Sequence, residues 1–190
     1  EKGSPIIYHT HDLCEKLKNV LGSDYHVEYA MRYKKPSLKK KLQSWEGKNF
    51  KQIIILPLFP HYASATNGSV IEEAMDVMKK WWVIPELSFV SQFYNETFYL
   101  KSFEEKGNLH DFKEYDHILF SFHGLPERHV DKVYKDGLCK DNDCEHGIND
   151  ENIFCYKATC YETAIQLAKR FKLNEEDYTV GFQSRLGRGW

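Results

Sequence analysis

Strong net charge is missing: 26 Lys plus Arg stand against 28 Asp plus Glu, a formal −2 across 190 residues. A balance this close to neutral offers no global attraction to nucleic acid or to an anionic membrane. Long apolar runs are missing too. The run from Ile53 to Leu56 falls far short of the roughly 20 residues a bilayer span needs, so no transmembrane segment is expected. The five cysteines, an odd number, do not suit a secreted disulfide framework, and the chain opens on EKGSPIIYH without a basic-then-apolar leader. Both features point to a reducing, cytoplasmic setting. There is no internal repeat and no low-complexity tract. The 42% hydrophobic and 28% charged residues are enough for a packed core and argue against disorder or a coiled coil. The length suits one large or two small domains.

Ser4 and Pro5 read as a helix start, with Ile6, Leu13, Leu17, Val20 and Leu21 at helical spacing until Gly22. Val27, Tyr29, Met31 and Tyr33 alternate, predicting a strand over 25–33, and a helix is expected from Ser37 to about Trp45. The run QIIILPL from Gln52 to Leu58 carries the mark of a strand covered on both faces. A helix follows Gly68 and Ser69, with Val70, Ile71, Ala74, Met75, Met78 and Trp82 on one face. Further elements are a strand at Leu87–Val90, a helix at Asn95–Lys106, a buried strand at His117–Ser121, a helix carrying Ala158, Ile165, Leu167, Ala168 and Phe171, and a strand at Tyr178–Gln183. Residues 127–152 have no period and read as a long insertion. The alternation predicts an α/β fold with parallel sheets and ligands at the C-terminal ends of the strands.

Three segments follow apolar strands and so fall at that end: residues 57–69, 121–126 and 183–190. His123 lies two residues past HILFS and directly before Gly124, a place for a proton acceptor or metal ligand, or for a loop histidine bonded to a carbonyl. His61 sits among Tyr62, Ser64, Thr66, Asn67 and Ser69, whose hydroxyls suit an anionic group at the helix start or simply cap that helix. Arg32, before Tyr33, has the forked donors that bind a carboxylate.

The segments LPLFPHYASATNGS, LFSFHGLPERH and FQSRLGRGW, in that order, resemble the signature segments of the ferrochelatases, which insert ferrous iron into a porphyrin to make haem. GSPI and MRYKKPSL resemble family segments too, so the likeness spans nearly the whole chain. It implies two Rossmann-like lobes with porphyrin between them, expected here as 1–95 and 96–190, the second lobe carrying a Cys-containing insertion at 127–155. It makes the chain a metal chelatase, a lyase of haem biosynthesis, with porphyrin and ferrous iron as substrates. It puts the active-site histidine on His123, contacting iron or taking up pyrrole protons. The flat apolar ring calls for Phe59, Tyr62 and Leu125 as walls, and the propionates for Arg32 and Ser64, with Tyr33 beside Arg32.

Departures from the family pattern matter as well. Ferrochelatases are longer, so both lobes are expected to be incomplete, with the first strand segment and the acidic partner of the histidine lying outside this chain. The isolated chain is then expected to be inactive. GRGW is one residue shorter than the family spacing. A porphyrin- or haem-binding protein without catalysis, a coproporphyrin enzyme and a cobalt chelatase stand as alternatives. Peripheral membrane contact and oligomeric state are left open by the sequence.

Cys139, Cys144, Cys155 and Cys160 form a C-x4-C, ten residues, C-x4-C pattern. Some ferrochelatases carry a 2Fe–2S cluster on internal cysteines, and the resemblance implies one here; a zinc site and plain reduced cysteines are the alternatives. Residues five apart on a helix lie about 140° apart around it, so Cys155 must precede the helix if both it and Cys160 are ligands. Cys14 belongs to the apolar face of the first helix and reads as core.

Overall fold

The chain, seen as a computed structural model, is described over residues 4–139, 144–184, 187 and 189. Its elements are α1 (Pro5–Leu21), α2 (Leu38–Trp45), β1 (Gln52–Ile55), α3 (Ser69–Met78), β2 (Glu86–Phe89), α4 (Thr97–Gly107), β3 (Ile118–His123), α5 (Glu127–Asp131), α6 (Tyr156–Phe171) and β4 (Tyr178–Gln183). This is the expected α/β order, with β1 paired to β2 and β3 to β4 in two parallel two-stranded sheets. Two compact units result: Glu1–Ile53 with Ser69–Leu87, and Ile54–Gly68 with Ser88–Trp190.

In the first unit Pro5 opens α1, where its missing N–H costs nothing, and Ser4 is extended at the N-cap without a side-chain capping bond. The helix stops at Gly22, whose φ of 75° suits glycine. Ser37 caps α2 by accepting from the Lys40 amide. α2 packs on α3 around Leu42, Ala74 and Met78, all nearly or fully buried. Cys14 is buried on α1 and donates to the Val27 carbonyl at 3.6 Å, the core role its position predicts.

The strand expected over 25–33 does not form. Met31 alone makes a bridge, to Ser37, and residues 25–30 have no ladder partner among the described residues. Alternation says which side chains share a face; pairing needs a second backbone.

In the second unit α6 packs against α4 and β4 with a face of small residues, including Ala158, Cys160, Ala164 and Ala168. Close approach has a price at Gly107, where an added Cβ would overlap the Phe171 ring. Arg170 bonds Glu104 at 2.7 Å across the same helix pair. β3 and β4 run parallel in register from Ile118 opposite Tyr178 to His123 opposite Gln183.

Two expectations are corrected here. The strands are not covered on both faces: Ile54 is 54% and Leu119 64% exposed, because each sheet has two strands and the described residues cover one side. β3 also outlasts HILFS, so His123 is its final residue and not a loop residue beyond it. Among the described residues no helix is long and apolar enough to cross a membrane.

Candidate functional site

His123 ends β3 with its side chain exposed, and the chain then turns at Gly124, whose amide donates to the Gln183 carbonyl at 2.7 Å. That bond ties the SFHGLP segment to the end of β4. Gly124 and Leu125 line a cavity of about 480 Å³ with Cys139, Tyr156, Lys157 and Phe182. A second cavity, of about 370 Å³, is lined by Tyr62, Ser64, Leu125, Ile153, Phe154 and Tyr156 among others. Tyr62, Ser64 and Leu125 thus line one cavity. Phe59 does not line that cavity; it is exposed, and its carbonyl is held by Asn67. Sequence reading missed Phe154 and Tyr156, which carry apolar signal only as parts of an irregular stretch and a helix start.

The loop from Pro57 to Ser69 is tied to its surroundings by bonds that its composition conceals. Asn67 is fully buried, and its amide donates to the carbonyls of Phe59 at 2.9 Å and Ser91 at 2.8 Å. Thr66 donates to the Asn67 side-chain oxygen at 3.0 Å. These bonds give the loop's backbone carbonyls partners where it has no ladder. Residues Ser64–Gly68 form a π turn closed by the Gly68 amide on the Ala63 carbonyl at 3.1 Å. Such turns recur at functional sites.

His61 is buried at 7% exposure, with Nε2 2.8 Å from Thr163 Oγ1 on α6. Burial pushes its pKa down to about 4. Its ring lies edge-on to Phe122 at 5.4 Å and to Tyr156 at 5.9 Å. It is therefore a neutral structural histidine behind the end of β3.

Arg32 and Tyr33 belong to the first unit. Arg32 donates through Nε to the Ser69 carbonyl at 3.0 Å, pairs with Glu73 at 3.4 Å and stacks over Tyr33 at 4.8 Å. Tyr33 Oη is 3.5 Å from Ser69 Oγ. The forked donors are aimed, but one protein carboxylate already faces them.

The cysteines divide. Cys155 is the N-cap of α6, ahead of the helix proper, the placement that shared ligation with Cys160 requires. Cys144 and Cys155 are fully buried together with Ala158, and Tyr134 Oη lies 3.9 Å from Cys144 Sγ. Cys139 is near enough to raise the Cys144 pKa, after burial and Cys155. Cys160 is fully buried on α6, and burial pushes its thiol up. Among the described residues no three metal-ligating side chains converge. Of the FQSRLGRGW segment, Arg185, Leu186, Arg188 and Trp190 lie outside the described residues, as does Gly3 of GSPI.

Parallel strands joined through α6, with an exposed histidine at the end of β3, define a Rossmann-like α/β protein. The chain belongs to the ferrochelatase family, whose model matches residues 1–190. It is 40% identical over 188 residues to ferrochelatase of Legionella pneumophila strain Corby, covering 99% of this chain and 55% of that protein. It is 38% identical over 193 residues to ferrochelatase of Coxiella burnetii strain Dugway 5J108-111, covering 98% and 52%. The chain thus spans about half the length of the curated relatives it matches.

Proposed function

We propose that the full-length protein is a ferrochelatase, a metal chelatase that inserts ferrous iron into protoporphyrin to form haem, in the cytoplasm. The observation that carries this reading is His123, exposed at the end of β3 beside the cavities, in a chain of this family. Iron entry must displace two pyrrole protons from the ring centre, so a base is needed on one face of the macrocycle. The imidazole of His123 accepts such a proton or contacts the incoming iron. Tyr62 and Leu125 line the wall against the ring, with Phe59 at the exposed side of the same segment. Ser64 is assigned to one propionate; separately, Arg32, stacked on Tyr33 in the first unit, is assigned to a substrate carboxylate in place of Glu73.

The test mixes the full-length protein, purified without oxygen, with ferrous iron and protoporphyrin while porphyrin fluorescence is followed. Loss of fluorescence in the unmutated protein, and at least a hundredfold slower loss in His123→Ala, is the expected result. Coproporphyrin consumption with protoporphyrin untouched would assign the more carboxylated substrate, and tight porphyrin binding without turnover a binding protein.

The 2Fe–2S cluster is a separate proposal, on Cys139, Cys144, Cys155 and Cys160. What supports it is the burial of Cys144 together with Cys155 and the position of Cys155 before α6. Iron and acid-labile sulfide in equal amounts in anaerobic protein, lost in Cys144→Ser, is the expected outcome; neither above background would refute it.

A further inference from the structure

The cavity of about 370 Å³ has borders of two kinds. Tyr62, Leu125, Val130, Ile153 and Phe154 give it apolar walls, with the Ser64 hydroxyl among them. The charged side chains that line it are Lys132, Asp150 and Glu151, all three exposed. Lys132 is the C-cap of α5, and among the described residues it makes no ion pair, either with these two acids or with another. The acids stand on a turn that fixes them. Asn152, fully buried, donates to the Gly147 carbonyl at 3.0 Å and accepts from the Asn149 amide at 2.8 Å, while Asn149 Oδ1 accepts from the amides of Glu151 at 2.9 Å and Asn152 at 3.1 Å. Two adjacent carboxylates are thereby held on the border of a largely apolar cavity that has a single cation.

We propose that this cavity selects the porphyrin by its side arms: Lys132 with Ser64 takes one propionate, and Asp150 with Glu151 refuses another. This deepens the chelatase reading and rests on it. At about 370 Å³ the cavity is small for a ligand site, with room for one edge of a macrocycle and not for the whole ring. Protoporphyrin and coproporphyrin differ at their arms alone: coproporphyrin carries propionates where protoporphyrin carries vinyl groups. An edge with one vinyl and one propionate matches the lining, an apolar wall and one unpaired cation. A further propionate sets its carboxylate beside Asp150 and Glu151 and brings no cation with it. Placed like charge discriminates where an apolar wall alone does not, because a flexible propionate can lay its methylenes on that wall and turn its carboxylate to water. The acids are exposed, so the refusal is screened and weakens as salt rises.

The experiment measures kcat and KM of the full-length protein, purified without oxygen, with ferrous iron and each of the two porphyrins, at about 0.05 M and about 0.5 M salt. The forms compared are the unmutated protein, Lys132→Gln, and a double variant with Asp150→Asn and Glu151→Gln. All three side chains are exposed, so none of these changes strands a buried partner and each form is expected to fold. The unmutated protein is expected to favour protoporphyrin roughly tenfold or more in kcat/KM at low salt, with the margin narrowing at high salt. The double variant is expected to raise the coproporphyrin to protoporphyrin ratio of kcat/KM roughly tenfold and to lose the salt dependence of that ratio, which a purely structural role of the turn would not move. Lys132→Gln is expected to raise KM for protoporphyrin about fivefold with kcat within about twofold. A ratio that the double variant leaves in place overturns the proposal, as does an unchanged KM in Lys132→Gln. Preference of the unmutated protein for coproporphyrin also overturns it while leaving the chelatase reading standing on that substrate. Iron insertion into neither porphyrin sinks the chelatase reading itself, and the role of the cavity with it.

Discussion

Acidification from about pH 7.5 to about pH 5 is expected to remove about 2 kcal/mol of folding stability through His61 alone. The imidazole is 7% exposed, three aromatic rings surround it, and burial, with no charged neighbour contributing, lowers its pKa from 6.5 to about 4. The unfolded chain therefore binds the proton first as pH falls. Stability from the neutral ring is fully present above about 6.5, declines through the interval down to about 4, and is constant below it. The whole interval is worth about 3 kcal/mol, at about 1.4 kcal/mol for each tenfold change in proton affinity, and about two-thirds of that is spent by pH 5. Urea unfolding of the full-length protein and of His61→Gln at both pH values isolates this contribution, because every other titrating group is common to both. The unmutated protein is expected to lose about 2 kcal/mol more than the variant between the two conditions. Equal losses would show that the ring is not held neutral by burial.

Other perturbations have equally definite outcomes. Asn67→Ala strands the carbonyls of Phe59 and Ser91 and is expected to cost about 2–3 kcal/mol in urea unfolding; a loss under about 0.5 kcal/mol would mean the loop holds itself. Gly107→Ala forces a methyl into the Phe171 ring and is expected to destabilise by about 1–3 kcal/mol, largely recovered by adding Phe171→Leu; absence of recovery would place the strain elsewhere. Met78→Ala, at a fully buried site against α2, is expected to lower stability by about 2–5 kcal/mol while porphyrin KM stays unchanged; a changed KM would tie this core to the substrate.

Legibility in the sequence followed the kind of signal each residue carries. α1, α2, α6 and β4 were read closely because periodicity, a capping residue and a stop residue agreed: Pro5 and Gly22, Ser37, and the closing YTVGFQ run. Face coverage was misread for β1 and β3, since an unbroken apolar run records what a strand is able to bury and nothing about which elements lie over it. The alternation at 25–33 failed on the same ground. The strand read as HILFS runs on to His123 because it continues as far as β4 offers partners, a property of β4 and not of HILFS. Asn67 looked like a cap from its neighbours, yet its partners are carbonyls 8 and 24 residues away, the second beyond any local pattern.

The cysteines carry the same lesson further. Helical geometry alone required Cys155 to stand outside α6 if it and Cys160 share a ligand, and Cys155 is indeed the N-cap. Geometry along one helix could not reveal which thiols are buried together: Cys144 and Cys155 sit with Ala158, while Cys160 is fully buried within α6. Cys160→Ser therefore separates its two readings: loss of iron and acid-labile sulfide from anaerobic full-length protein would make it a ligand, whereas unchanged iron content with a lower urea midpoint would make it core.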